Sequence, residues 1–93
     1  MPGNVIVVLR AYPKEVMDDF TKLIEKIQLK VKGTVYSLMK WEPVEIAFGY
    51  KALDLYFVMP EDIEGGTENL EEIIKGVDEI DNVEVIYITR VGM

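Results

Sequence analysis

Only two stretches of this chain have helical periodicity, whereas four have the composition of strands. Two helices cannot cover both faces of a four-stranded sheet, so the chain is restricted to a sheet with helices on one side. Asn4 to Ala11 (Asn-Val-Ile-Val-Val-Leu-Arg-Ala) is rich in β-branched residues and almost continuously apolar, as a central strand would be. Pro13 suits the first position of a helix, and Val16, Phe20, Leu23, Ile24, Ile27 and Val31 follow at helical spacing until Gly33 stops the run. Thr34 to Met39 alternates apolar and polar and reads as a second strand running past Trp41; Pro43 makes it an edge strand, with a bulge or break near the proline. Ala47-Phe48-Gly49 reads as a hairpin connection into a third strand, Tyr50 to Met59, which Pro60 ends. After a loop over 61–67, Thr67 is a suitable N-cap for a second helix. Glu68, Glu71 and Glu72 fall in its first turns, and Leu70, Ile73, Ile74 and Val77 form its buried stripe. Residues 78–82 read as a turn, and Val83 to Val91 as a fourth strand.

The order β-α-β-β-α-β predicts an α+β, two-layer ferredoxin-like sandwich occupying residues 1–93 as a single domain. Crossover handedness and hairpin pairing favour an antiparallel sheet of order 4-1-3-2. Its central strands, one and three, are expected to run the same way, with the edge strands opposite to them. On that arrangement Phe48 and Arg90 share one rim of the sheet, about 10–15 Å apart across strands spaced at about 4.8 Å.

What the chain lacks narrows its chemistry. With 0 Cys and 0 His it has no thiol nucleophile, no thiolate or imidazole metal ligand and no imidazole acid–base step. Glu61, Asp62, Glu64 and Glu68 cluster without the spacing of a calcium loop, so neither a metal nor a cofactor is expected. Gly65-Gly66 before a helix has the form of a phosphate-binding amide nest, but those carboxylates would repel an anion. Residues 1–60 carry 8 basic and 7 acidic side chains, whereas residues 61–84 carry 10 acidic groups against Lys75 alone. A field of that sign disfavours direct nucleic-acid binding and suits a basic partner or a solvated acidic face. No apolar run reaches the ~18 residues of a membrane span, and Met1-Pro2-Gly3-Asn4 does not open a signal peptide, so a cytoplasmic location is expected.

Phe48 is the most unusual placement, because a large apolar ring at a hairpin tip has little sheet to pack against. It either folds back over the end of the core or anchors in a partner's pocket, and Trp41 and Tyr50 could serve either role. Arg90 stands isolated among acidic neighbours. Other functions of this topology leave no trace: Lys51 to Val58 lacks the Gly and first aromatic of an RNA-recognition strand, and Ala11-Tyr12-Pro13 is no Arg-bearing anion loop. A small-ligand-binding or assembly module of this fold stays open, because such sites need no motif.

Ile46-Ala47-Phe48-Gly49-Tyr50-Lys51-Ala52-Leu53, followed by Glu64-Gly65-Gly66-Thr67-Glu68, resembles the elongation factor 1-beta family of archaea and the C-terminal nucleotide-exchange domain of its eukaryotic counterpart. The likeness extends over nearly the whole chain in length and element order. It implies guanine-nucleotide exchange on the GTPase elongation factor 1-alpha by a protein that makes or breaks no bond itself; no cofactor is expected, and the free chain is expected to be a monomer. It implies further that Phe48, in its turn with Gly49 and beside Tyr50 and Lys51, inserts into the GTPase. By the same likeness Arg90, where eukaryotic relatives have Lys, approaches the GTPase's magnesium site.

Overall fold

The computed structural model describes residues 3–63 and 66–91. The elements are β1 (Asn4–Pro13), α1 (Thr21–Val31), β2 (Ser37–Ala47), β3 (Tyr50–Pro60), α2 (Gly66–Lys75) and β4 (Ile80–Arg90), in the expected order. They build one four-stranded sheet, β2-β3-β1-β4, in which every neighbouring pair is antiparallel. The ferredoxin-like order is therefore as expected, but the direction of the β2–β3 hairpin relative to β1 is not, for β3 as a central strand and β2 as an edge strand alike. β1 and β3 run antiparallel, with Val5 opposite Met59 and Ala11 opposite Leu53. Chain tracing explains this: α1 returns the chain so that β2 points the same way as β1, and the tight hairpin then reverses β3 against both.

Period-2 alternation sorts the central strands into two faces. Val7, Leu9 and Ala11 of β1 and Leu53, Leu55, Phe57 and Met59 of β3 point toward the helices and are buried. Leu23, Ile24, Ile27 and Val31 of α1 and Leu70 and Ile74 of α2 close over them, with Val77, Ile80 and Val83 completing the same core. On the other face, Arg10 and Asp54 lie opposite each other in register, as do Val8 and Tyr56.

Several boundaries differ from expectation. Pro13 does not begin a helix; it ends β1 opposite Ile80. Lys14 N–H donates to the Glu79 carbonyl at 2.8 Å, extending the attachment of β1 to the start of β4. Residues 14–20 form a loop, Val16 is exposed, and α1 starts at Thr21, whose N–H and hydroxyl donate to Asp19 Oδ1 at 2.9 and 2.6 Å. β2 is indeed an edge strand, but its register shifts lie between Leu38 and Lys40 and between Glu45 and Ala47, while Pro43 keeps its place opposite Leu53. An edge strand tolerates a missing N–H without a break. Thr67 lies inside α2 rather than at its cap, since the helix opens at Gly66 with φ +52°. Glu64 and Gly65, and with them half of the suspected Gly-Gly nest, lie outside the described residues.

Candidate functional sites at the two ends of the sheet

The β2–β3 hairpin closes with a two-residue loop, Phe48-Gly49, between paired Ala47 and Tyr50. Gly49 has φ +72°, and no atom comes within 4 Å of where its Cβ would be, so backbone conformation alone selects glycine there. The turn projects Phe48 wholly into solvent: its relative exposure is 104%, so it does not cap the core. Three further large apolar side chains of β2, Met39 at 52%, Ile46 at 44% and Trp41 at 41%, are also exposed.

The hairpin base is tied down. Tyr50 Oη donates to the Pro13 carbonyl at 2.6 Å, connecting the first residue of β3 to the last of β1. Burial raises the Tyr50 pKa above its usual value, with smaller contributions from Asp81 and Tyr12. Tyr50 is thus a support of the turn, and Lys51 lies opposite Glu45 in the first full rung below it.

Arg90 is at the other end. It faces Val5, which in turn faces Met59, so it sits beside the finish of β3 while Phe48 sits before its start. Nine residue steps from Tyr50 to Met59, at about 3.4 Å each, separate the two ends by about 30 Å. The expected common rim is therefore overturned, and the cause is the antiparallel direction of β1 against β3. Arg90 Nε pairs with Glu61 Oε2 at 2.9 Å, yet the arginine side chain remains 80% exposed. The other oxygen, Glu61 Oε1, accepts the Gly3 N–H at 3.0 Å, and Glu61 N–H donates back to the Gly3 carbonyl at 3.0 Å. Val91 N–H donates to the Asn4 carbonyl at 2.9 Å, holding the end of β4 against the start of β1.

The helix-free face between these ends carries a polar band that composition did not reveal. Arg10 makes a two-point pair with Asp54, Nε to Oδ1 at 2.8 Å and Nη2 to Oδ2 at 3.1 Å, and Asp54 is buried. Hydrogen bonding to Asp54 raises the Arg10 pKa further, against the opposing effect of burial. Tyr12 Oη donates to Glu84 Oε1 at 3.0 Å, and burial, followed by that hydrogen bond, raises its pKa. Lys40 Nζ lies 4.5 Å from the centre of the Tyr56 ring. Among the described residues no group of three or more acidic side chains is placed to hold a metal ion, and no helix is long and apolar enough to cross a membrane.

Sequence comparison adds to this geometry. A family model described as the EF-1 guanine nucleotide exchange domain matches residues 6–91. Elongation factor 1-beta of Sulfolobus acidocaldarius is 39% identical over 89 residues, covering 96% of this chain and 98% of the relative. Elongation factor 1-beta of Sulfurisphaera tokodaii is 40% identical over 89 residues, covering 96% and 97%, and that of Ignicoccus hospitalis is 39% identical, covering 96% and 94%.

Proposed function

Because the chain belongs to the EF-1 guanine nucleotide exchange domain family, we propose that it promotes GDP release from the GTPase elongation factor 1-alpha in the cytoplasm, acting as an exchange factor and not as an enzyme. The observation that carries this reading to a mechanism is the complete exposure of Phe48 on a turn whose base is held by Tyr50. A free apolar ring on a rigid support is suited to insertion into a partner's pocket, because little conformational freedom is lost on binding. Full burial of such a ring contributes about 1.5–3 kcal/mol. An assembly module using Phe48 as a core cap would need the ring folded inward, opposite to its position here.

Exchange needs no bond chemistry. A factor that binds the nucleotide-free GTPase more tightly than the GDP-bound form must, by linkage, weaken GDP by the same ratio. A thousandfold acceleration corresponds to roughly 4 kcal/mol of such selectivity. The separation of about 30 Å divides the work. Phe48 anchors one end of the sheet in an apolar pocket, and the Arg90 cation works from the other end, where it competes for the magnesium environment that holds the nucleotide phosphates. A molecule 45 Å long presents both ends to one partner without entering one pocket twice.

The test is the concentration dependence of fluorescent-GDP release from elongation factor 1-alpha. Phe48→Ala should raise the concentration needed for half-maximal acceleration by at least tenfold. A Phe48→Ala chain as effective as the parent would remove the ring from the mechanism.

A further inference from the structure

Glu61 entered the sequence reading only as one acid among several in a loop, yet both of its carboxylate oxygens are committed at the C-terminal end of the sheet. Oε1 accepts from the Gly3 N–H, and Oε2 is ion-paired with Arg90, 2.9 Å from its Nε. The backbone of Glu61 is itself fixed by the return bond to Gly3, so the carboxylate is referenced to β1 and not to a loose loop. Its side chain is only 25% exposed, whereas that of Arg90 is 80% exposed. The closest approach of the pair is through Nε. A guanidinium is a planar fork of five donors that can meet a carboxylate or phosphate at two points, so one held at its Nε edge keeps further donors for such a partner.

We infer that Glu61 is a positioning residue for nucleotide exchange: it holds the Arg90 guanidinium in a fixed orientation on the free protein, with further donors kept for the partner. This rests on the role proposed for Arg90 in exchange. An unrestrained arginine at a strand end would have to be ordered during association, and the Glu61 contact does that ordering beforehand. A purely electrostatic consequence has the opposite sign, since a nearby carboxylate partly neutralises the cation. The two effects are separable by experiment, because positioning requires Arg90 to be present and to have a fork.

The variant is Glu61→Gln, which keeps size and one acceptor but cannot accept at both oxygens. Two measurements are made. In the free protein, 15N relaxation of the Arg90 side-chain Nε–H should report an ordered group that becomes mobile in Glu61→Gln; equal mobility in both would overturn the inference without reference to exchange. In fluorescent-GDP release, Glu61→Gln should lower the second-order rate about fivefold to tenfold with Arg90 present, and less than twofold in the Arg90→Ala background. Equal losses in both backgrounds, no loss in either, or a gain would overturn it. If Arg90→Ala alone exchanges like the parent, the role of Arg90 fails and the inference falls with it. Impaired Arg90→Ala beside unaffected Glu61→Gln rejects only the inference.

Discussion

Phe48 and Arg90 stand beyond opposite ends of β3, about 30 Å apart, one before Tyr50 and the other beside Met59. An account that sends both into a single nucleotide pocket is incompatible with this geometry. The two residues instead mark opposite ends of the sheet, with the length of β3 between them.

Phe48→Ala should therefore separate function from stability. The ring is fully exposed, so its removal should change unfolding free energy by less than about 0.5 kcal/mol, as measured by urea denaturation, while GDP release falls at least tenfold. A large loss of stability would mean the ring packs on the domain in solution.

Gly49→Ala tests the turn itself. A side chain would have open space but must adopt φ +72°, which costs about 1–2 kcal/mol for an L-residue. Urea denaturation should report a loss of that order. Exchange should fall as well, because relief of the strain re-aims Phe48.

Tyr50→Phe removes the 2.6 Å bond to the Pro13 carbonyl and should cost about 1 kcal/mol. It should also change alkaline behaviour. The folded pKa of Tyr50 is raised, so its contribution is fully present below the unfolded tyrosine value of about 10 and is lost as pH rises through the folded value. Tyr12 acts in the same direction. Melting curves between pH 8 and 11 should fall more gently for Tyr50→Phe than for the parent; an unchanged slope would contradict the linkage.

The Arg10–Asp54 pair should behave as a half-buried ion pair. Asp54→Ala strands Arg10, but the arginine is 25% exposed and can recover some hydration, so a loss of about 2 kcal/mol is expected, below that of a fully buried pair. The double replacement Arg10→Met with Asp54→Leu should recover most of it. Equal denaturation midpoints for the single and double variants would indicate that the pair contributes through more than mutual charge satisfaction.

Local signals explain which parts of the fold were legible in the sequence. The β2–β3 turn followed from Gly49 between two β-patterned runs, and Pro60 closed β3 where expected. Pro13 and Val16 fit a helical pattern by themselves, although α1 starts only at Thr21. What overrides that pattern is the pairing of Pro13 with Ile80, a contact between chain ends that no local window contains. The same limit hid the partners of Asp54 and Arg90. Arg10 and Glu61 are distant in sequence, and only the assembled sheet brings each to hydrogen-bonding distance. No local signal carries strand direction, and reversing the β2–β3 hairpin against β1 moves Phe48 by the length of the sheet: Phe48 and Arg90 are legible as unusual residues, but their separation is not.

Release of fluorescent GDP from nucleotide-loaded elongation factor 1-alpha, followed with the parent chain, Phe48→Ala, Arg90→Ala and the double variant, tests the central claim most directly. The account predicts acceleration by the parent and a loss in each single variant. The losses should multiply in the double variant, because sites about 30 Å apart that share no contacting residue act independently. No acceleration of a demonstrably active GTPase by the parent chain would contradict it.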